Sequence, residues 1–301
     1  MNIAIIGARG CVGSALTKKL LETTGHAIIA SYRREEEVGI KHERVQWRRV
    51  NLYDNLGTEE FLEGVDILVY LVHSLEIRRF EELDHRFAER TGKFAQKIGV
   101  KKIIYLGGII PKDESLSVHL RSRQETGKVL AGHGVPVAEV RASILLGTCS
   151  VSYRMVYWLS RRLPVLVMPN WSRTKCSPVA LEDAVDMIAA LIDREVQGHE
   201  IFEIGSEVMR YDELLMRSGK ISRGTRNRVI YMPLFPISIA AYMVRILTGV
   251  SRNIAGALIG SLRNDSMVTQ NRFKEIVGRD PRQIDDALFD LHWQMKGMEG
   301  R

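Results

Sequence analysis

The first thirteen residues constrain the fold of this chain more than any other stretch. The apolar run NIAII at 2–6 predicts a short strand, and the pattern GARGCVG follows it, with glycine at Gly7, Gly10 and Gly13. The three glycines permit a sharp turn, a close approach of backbone to a pyrophosphate, and tight packing of the next helix on the strand. This order of strand, loop and helix predicts a site for dinucleotide phosphates at the helix N-terminus, and the alternative is a tight turn that binds nothing.

Six runs rich in β-branched residues alternate with four helical patterns over the first 145 residues. The predicted strands cover 2–6, 27–31, 45–50, 66–72, 102–106 and 136–141. The predicted helices cover 13–22, 55–63, 78–98 and 117–131. Strands that alternate with helices at this spacing form βαβ units, and continuous apolar runs indicate strands covered on both faces. The sequence therefore predicts an α/β fold with a Rossmann-type doubly wound parallel sheet.

The second half shows a looser pattern, and no Pro-, Ser- or Gly-rich linker separates it from the first half. We expect residues 1–145 to form the dinucleotide-binding domain, with its sheet completed by later segments up to about 205, and residues 146–301 to form mostly a smaller α+β lobe for the substrate. Helices are predicted at 150–162, 181–194, 211–217, 236–248, 251–263 and 281–295. Strands are predicted at 165–168, 175–179, 200–204 and 228–232.

The composition bears on the compartment of the protein and on its partners. The three cysteines have no CxxC spacing and are odd in number, so we expect no disulfide framework and a reducing compartment, the cytoplasm. The net charge is +7, but residues 1–219 carry 30 basic and 29 acidic side chains, so the excess lies in the C-terminal part. No nucleic-acid recognition motif accompanies it, and we expect no nucleic acid as a partner. The histidines do not cluster with acids or cysteines at metal-ligand spacing, so no metal site is expected.

The segment 217–228 holds five basic residues and no acidic one, and sixteen uncharged residues follow it. That run is shorter than the ~20 residues that cross a bilayer, and two prolines interrupt it. One interpretation is peripheral contact through 217–247 with the inner face of a membrane. The favoured interpretation is a buried helix that lines an apolar substrate cavity, preceded by a solvated basic loop, because apolar residues are most often buried.

The end of the second predicted strand bears on the choice of dinucleotide. An NAD-binding loop usually offers an acidic residue there for the ribose 2′-hydroxyl, whereas this chain has Arg33 and Arg34, and its first acidic residue is Glu35. Arginine pairs with a 2′-phosphate, and Arg9 in the glycine loop supplies another cation. The sequence predicts NADP(H) in preference to NAD(H); the alternative is that these arginines are ordinary solvated residues.

Five further stretches carry a resemblance to a known family: YLVHSL (70–75), YLGGI (105–109), HLRSRQETG (119–127), RASILLG (141–147) and SLRND (261–265). With the glycine loop, they resemble the NmrA-like branch of the atypical, extended short-chain dehydrogenase/reductases, near the bacterial proteins similar to complex I accessory subunits. The resemblance implies a Rossmann domain, a small C-terminal substrate lobe and NADP(H) across the strand ends. The predicted cofactor contacts, from the glycine loop, the strand ends and the resemblance together, are Gly7, Arg9, Gly10, Cys11, Val12, Gly13, Arg33, Arg34, Asn51, Leu52, Leu71, Val72, His73, Gly107, Arg123, Ala142 and Ser143.

The chain departs from that family at the positions that carry its chemistry. The family pattern places Ser or Thr at the end of the fifth strand and a Tyr-x-x-x-Lys pair on the next helix, where this chain has Gly107-Gly108, His119 and Arg123. Arginine retains a positive charge for a ribose contact but cannot relay protons. His119 is the candidate proton donor, and the alternative is a histidine on a helix surface.

Two functions follow from these residues. The first is an NADP(H)-dependent oxidoreductase that acts on an apolar, quinone-like molecule, because a quinone accepts hydride with less need of a dedicated acid than a ketone. The second is a non-catalytic NADP(H)-binding sensor, regulatory or assembly protein. The expected partners are a dinucleotide and a small apolar molecule, and the sequence leaves the oligomeric state open.

Overall fold

The computed structural model describes residues 1–34, 38–53, 57–77, 79–111, 115–233 and 236–299. Its strands are β1 (Asn2–Ile6), β2 (Ala27–Tyr32), β3 (Val45–Arg49), β4 (Ile67–Tyr70), β5 (Lys102–Gly108), β6 (Val137–Ala142), β7 (Leu145–Leu146), β8 (Val165–Pro169), β9 (Lys175–Cys176), β10 (Val179–Ala180), β11 (His199–Ile204), β12 (Met209–Arg210) and β13 (Arg228–Met232). Its α-helices are α1 (Cys11–Thr23), α2 (Thr58–Leu62), α3 (Phe80–Ile98), α4 (Val118–Ala131), α5 (Val151–Arg162), α6 (Leu181–Asp193), α7 (Tyr211–Arg223), α8 (Ile237–Thr248), α9 (Arg252–Ser261), α10 (Phe273–Val277) and α11 (Ile284–Glu299).

Seven strands form one parallel sheet in the order β11-β6-β5-β4-β1-β2-β3. The chain builds outward from β1 to β3 and then returns to β4 on the other side of β1. The strand order therefore reverses between β1 and β4, and ligands of such sheets bind in the crevice at that reversal. The glycine loop follows β1 and lies at this crevice. The predicted doubly wound α/β fold is confirmed.

Both faces of the sheet are covered because successive side chains of a strand point to opposite sides. On β1, Ile3 and Ile5 pack in the cluster that contains residues of α1 and α6. Ala4 and Ile6 pack in a second cluster with residues of α2 and α3. This arrangement explains the continuous apolar runs, and it leaves the carboxyl ends of the strands as the open edge of the sheet.

The second half of the chain adds three two-stranded sheets: β7 with β10, β9 with β12, and β8 with β13. Most of its predicted elements are present with bounds shifted by a few residues, whereas β7, β12 and α10 were not predicted. The basic segment 217–228 is not one solvated loop. Its first part belongs to α7, and Arg217 forms salt bridges with Glu207 and Glu213. The division into domains at residue 145 stays a prediction.

The favoured interpretation of the apolar run before residue 248 is wrong. Helix α8 buries only one side, with Ala241 and Val244 in a small core with residues of α5 and α9. The opposite side is open to solvent. An uncharged helical pattern predicts a helix but does not reveal whether neighbours cover both sides, and here they cover one. Among the described residues, none of the helices has the length and apolar character that crossing a membrane requires.

The expectation of a chain without disulfides is also wrong. Cys11 and Cys149 form a disulfide bond with their Cα atoms 5.3 Å apart. They are separated by 138 residues in sequence, and the fold brings together the loop after β1 and the segment between β7 and α5. Short spacings such as CxxC reveal local pairs, but this pair depends on the tertiary structure. The third cysteine, Cys176, is buried and unpaired.

Candidate functional site

The glycine loop has the local geometry that its sequence predicts. Gly7 adopts a positive φ of 89°, and its N–H donates to Oγ of Ser31 over 2.9 Å. Gly13 lies so close to the turn that a Cβ atom there would stand 2.3 Å from the carbonyl oxygen of Gly7. Only glycine permits that approach, so α1 packs directly against the end of β1.

The first turn of α1 offers backbone donors to a ligand. The first helical hydrogen bond runs from the N–H of Ser14 to the carbonyl of Gly10, and no side chain caps the helix at Gly10. Within the described residues, the amides of Cys11, Val12 and Gly13 have no acceptor. Together with the positive end of the helix dipole, these amides form an anion-binding site of the kind that receives phosphate groups.

A cavity of about 410 Å³ begins at this loop and runs along the carboxyl ends of β1, β4, β5 and β6. Its lining contains eleven predicted cofactor contacts and the candidate proton donor. These residues are Gly7, Gly10, Cys11, Val12, Gly13, Leu71, His73, Gly107, His119, Arg123, Ala142 and Ser143. The cavity therefore brings together residues from four strand ends and from α4. These residues are far apart in the sequence, and the strand ends could be assigned to one site only because the carboxyl ends of parallel strands lie at the same edge of a sheet.

Six predicted contacts do not line this cavity: Arg9, Arg33, Arg34, Asn51, Leu52 and Val72. Arg33 and Arg34 are exposed directly after β2, and the guanidinium of Arg33 lies 5.9 Å from the ring centre of Tyr53. The side chain of Asn51 accepts the N–H of Tyr53 over 3.1 Å, and Leu52 is buried in the core. Glu35 lies outside the described residues.

Arg123 lines the cavity and is held in place by residues of β5. Its guanidinium donates to the carbonyl oxygen of Leu106 and stacks 5.0 Å from the ring centre of Tyr105. The hydroxyl of Tyr105 donates in turn to the carbonyl of Arg123 over 3.0 Å. A cation fixed in this way beside the strand ends can bind an anionic or hydroxyl-rich ligand, but it cannot deliver a proton.

His119 is anchored from the C-terminal half of the chain. Its Nδ1 lies 2.9 Å from Oγ of Ser261, whose hydroxyl donates to the carbonyl of Ala257. Since that hydroxyl hydrogen is already used, we assign the hydrogen of the imidazole to Nδ1, which leaves Nε2 as an acceptor. Burial, aided by the charge of Arg123, lowers the pKa of His119 to about 3. The imidazole is therefore neutral at physiological pH.

At Gly107, near the end of β5, the hydroxyl side chain of the family pattern would be crowded. A Cβ atom at Gly107 would stand 3.0 Å from a carboxylate oxygen of Glu139 and 3.2 Å from the ring of Tyr105. Glu139 is itself fixed, because Nε of Arg141 and Nε2 of His199 each lie 2.7 Å from its carboxylate. A serine or threonine here would require this buried group to move.

Comparison with known proteins agrees with this geometry. The model of an NAD(P)H-binding family matches residues 7–146, which include the glycine loop and all the strand ends that line the cavity. This match bears out the expected NAD(P)H-binding domain for residues 7–146. The narrower likeness to the complex I group stays a prediction.

Solved structures of the same fold cover almost the whole chain. A nucleoside-diphosphate-sugar epimerase from Staphylococcus aureus aligns with a TM-score of 0.78 at 18% identity, over 96% of this chain and 100% of that one. An NADPH-dependent quinone oxidoreductase from Escherichia coli, solved with NADPH, aligns at 0.76 and 18% identity, over 96% and 99%. A triphenylmethane reductase from Citrobacter, solved with NADP(H), aligns at 0.76 and 17% identity, over 97% and 100%. A search of curated proteins finds no match.

The lining of the cavity is also supported by a residue that sequence reasoning missed. The buried carboxylate of Asp84 accepts the N–H of Ser74 over 2.8 Å and the hydroxyl of Ser122 over 3.1 Å. It thereby joins α3 to the loop after β4 and to α4, which carries His119 and Arg123. An isolated aspartate inside a helical pattern gives no sequence signal of this role.

The C-terminal half closes the cavity through the segment 261–266. Oγ of Ser266 lies 2.7 Å from Oγ of Ser143, and the side chain of Asn264 bonds the backbone of Ser115 and Ser117. The stretch SLRND within this segment was recognised only as part of a family resemblance, without a role. Two helices and the turn after the second one add apolar side chains to the wall: Val151, Met155, Ile254, Leu258 and Leu262. Within the described residues, no group of three or more His, Cys, Asp or Glu side chains has a metal-binding arrangement.

Proposed function

We propose that this protein is an NADP(H)-dependent oxidoreductase that reduces an apolar, quinone-like molecule. The observation that carries the proposal is the mixed lining of the cavity. It combines unpaired amides of the glycine loop with aliphatic side chains such as Met155, Ile254 and Leu258. Amides that suit phosphates and an apolar wall that suits a flat hydrophobic molecule fit hydride transfer from a bound dinucleotide to such a molecule.

The proposed preference for NADP(H) depends on cations outside the cavity. Arg33 and Arg34 follow β2, and Arg9 is exposed on the glycine loop. The 2′-phosphate of an adenosine ribose would lie beyond the end of β2 in a sheet of this order. A doubly charged phosphate gains charge-assisted hydrogen bonds from arginine there, whereas a free hydroxyl would find no carboxylate among the described residues of that turn.

The proposed positions along the cofactor follow the strand ends. Leu71 and His73 would contact the nicotinamide ribose from β4, and Arg123 would hold it from α4. Ala142 and Ser143 would lie beside the nicotinamide ring at the end of β6. We assign the further contacts Asn51 and Leu52 to the adenine and Val72 to the ribose track. The dinucleotide, when bound, supplies hydride.

The proposed role of His119 is contact with the substrate. In its neutral form with hydrogen on Nδ1, the side chain accepts a hydrogen bond at Nε2 rather than supplying a proton from an imidazolium. A quinone that has taken up hydride is an anion stable enough to take its proton from water. The proposed substrate class therefore fits a site in which a strong proton donor is missing from the usual position.

Consumption of NADPH with a panel of benzo- and naphthoquinones tests this proposal, followed through the absorbance of NADPH at its nicotinamide band. We expect turnover with quinones and none with an aliphatic ketone of similar size, since a ketone needs the missing acid. The matched variant is Leu258→Gln, which makes the apolar wall polar while it leaves the glycine loop intact. Equal rates with ketone and quinone, or an unaffected Leu258→Gln variant, would contradict the assignment.

The second candidate is a non-catalytic NADP(H)-binding sensor or assembly protein. The observation that favours it is the absence of a hydroxyl side chain at Gly107 and Gly108, together with a neutral His119. NADPH that binds in titration calorimetry but is not consumed with any member of the quinone panel would support this candidate over the reductase.

We also propose peripheral contact between a membrane and the segment 217–247. The outward side of α8 presents four large apolar side chains at helical spacing, exposed by 41–63%: Ile239, Tyr242, Met243 and Ile246. No acidic residue occurs from 214 to 264, whereas eight basic residues do. Among the described residues, no acidic group pairs with Arg226, Arg228 or Arg245. An apolar helix side flanked by unpaired cations matches the surface of an anionic bilayer.

Sedimentation with lipid vesicles tests this contact. We expect binding to vesicles that contain phosphatidylglycerol and little binding to pure phosphatidylcholine. Ile246→Ser should weaken binding about tenfold, because one large aliphatic side chain loses its burial in lipid. Phe289→Ser is the control, since Phe289 is 54% exposed on α11 among the acidic residues Asp285 and Asp286. Equal loss in both variants would refute the assignment to α8.

A further inference from the structure

The disulfide between Cys11 and Cys149 lies in the proposed dinucleotide groove rather than in the core. Cys11 is the first residue of α1, and Cys149 comes two residues before α5. Both cysteines line the cavity that begins at the glycine loop. The bond therefore joins the turn proposed to bind phosphate to the wall contributed by the second half of the chain.

Both residues of this pair reach the surface of the protein. Cys149 is exposed and Cys11 is partly exposed. By contrast, Cys176 is only 2% exposed, and burial raises the pKa of its thiol to about 12, so it is inert at neutral pH. Exposed disulfides are the labile and regulatory ones, whereas structural disulfides are usually protected. The chain thus holds one reactive sulfur pair and one unreactive thiol.

The location of Cys11 favours reduction of the disulfide and determines where the resulting negative charge would lie. When the bond opens, the sulfur of Cys11 is left at the positive end of α1, beside the unpaired amides of the first turn. A helix N-terminus stabilises a thiolate, so Cys11 is the better leaving group of the two. The thiolate would then place a negative charge where the pyrophosphate of the dinucleotide binds.

We propose that the Cys11–Cys149 pair is a dithiol/disulfide modification site through which a dithiol reductant lowers the affinity of the protein for its dinucleotide. The proposal rests on the proposed cofactor site. Two effects act in the same direction: the thiolate of Cys11 competes with the pyrophosphate for the same amides, and the loss of the link frees the wall at Cys149. A groove that is already held in its binding geometry loses less conformational entropy on binding than one that is free to move.

The chemical step is a thiol–disulfide exchange. One thiolate of the dithiol attacks Sγ of Cys149, forms a mixed disulfide and releases Cys11 as a thiolate. The second thiol of the reductant then displaces Cys149, and the reductant becomes a disulfide. The protein gains two electrons. Of the two protons that the dithiol gives up, one goes to Cys149 and the other to solvent.

Fluorescence titration of the full chain with NADPH tests the proposal, on air-oxidised protein and on protein kept in dithiothreitol. At pH 8 we expect binding to weaken about tenfold on reduction, and by less at pH 6, where the thiolate of Cys11 is partly protonated. Cys149→Ser should bind at the reduced level with or without dithiothreitol. Cys176→Ser should respond like the parent, and circular dichroism checks that each form is folded.

Three outcomes would overturn the proposal. They are affinities within twofold in the two redox states, tighter binding after reduction, and mass spectrometry that finds both thiols free in air-oxidised protein. If NADPH binds in neither state, the dinucleotide site itself is refuted. Equal binding in both states refutes only the modification site. A Cys149→Ser variant that still responds to dithiothreitol would also overturn it.

Discussion

Replacement of Asp84 isolates the contribution of one buried carboxylate to the geometry of the cavity. Asp84 and its two partners, Ser74 and Ser122, are each at most 4% exposed. In Asp84→Ala, the N–H of Ser74 loses its acceptor in a place that water cannot reach, which costs roughly 1–3 kcal/mol. The lost hydrogen bond from Ser122 to a charged group contributes roughly 1.5–3 kcal/mol more. We expect a total destabilisation of about 4 kcal/mol.

The matched variant Asp84→Asn separates shape from charge. An asparagine keeps an oxygen that accepts the N–H of Ser74, and its NH₂ group can donate to Oγ of Ser122, so the direction of that second hydrogen bond is reversed. Burial raises the pKa of Asp84, while the charge of Arg123 and the two hydrogen bonds oppose that rise. Since the charged form is costly in this place, removal of the charge should cost little, and we expect Asp84→Asn to lie within about 1 kcal/mol of the parent.

The assay is urea-induced unfolding followed by circular dichroism, with NADPH titration on the folded variants. The loop after β4 and the helix α4 should lose their common anchor in Asp84→Ala, so NADPH should bind about tenfold more weakly, while Asp84→Asn should bind within about threefold of the parent. The reasoning is refuted if the alanine variant unfolds within 1 kcal/mol of the parent, or if asparagine is as damaging as alanine.

Three further changes test other parts of the site. Arg33→Ala should remove a preference for NADP(H) over NAD(H) of about tenfold, or ~1.4 kcal/mol; equal calorimetric affinities in the parent would contradict it. Gly10→Val should abolish NADPH binding with an unchanged circular dichroism spectrum, because a branched side chain fills the pyrophosphate position; normal binding would place the cofactor elsewhere. Burial raises the pKa of Glu139, but hydrogen bonds from His199 and Arg141 more than offset this, so the pKa lies below its ordinary value of 4.5. Its stabilisation is therefore present above pH 4.5 and lost as pH falls through the lowered pKa, and Glu139→Gln should show a flatter fall of Tm on acidification.

The first half of the fold could be predicted because its signals are local. Strand β1 has the predicted bounds, and the turn at Gly7 and the close packing at Gly13 follow from the residue type alone. Parallel strands also share one open edge, so residues after different strands could be assigned to one site before any distance was known. Local pattern, one topological rule and the family resemblance together identified eleven predicted cofactor contacts that line a common cavity.

The orientation of side chains across the second half could not be predicted in the same way. Helix α8 was expected from its uncharged run, but the outward direction of Tyr242 and Ile246 depends on which neighbours the fold supplies. His119 could be recognised from its spacing to Arg123. Its neutral state depends on burial within the folded chain. Its partner at Nδ1 is Ser261, which lies 142 residues further along the chain.

The long-range ties have a common consequence for function. The disulfide at Cys149 fixes the second half of the chain to the glycine loop, and the bond from Ser261 fixes it to His119. Both ties join the apolar wall of the cavity to the part that would hold the dinucleotide. A change that loosens the second half should therefore alter cofactor binding even where it touches no cofactor contact. The strand ends would position the phosphates of a dinucleotide, but the apolar part of the cavity lining depends on the C-terminal half being held against the sheet.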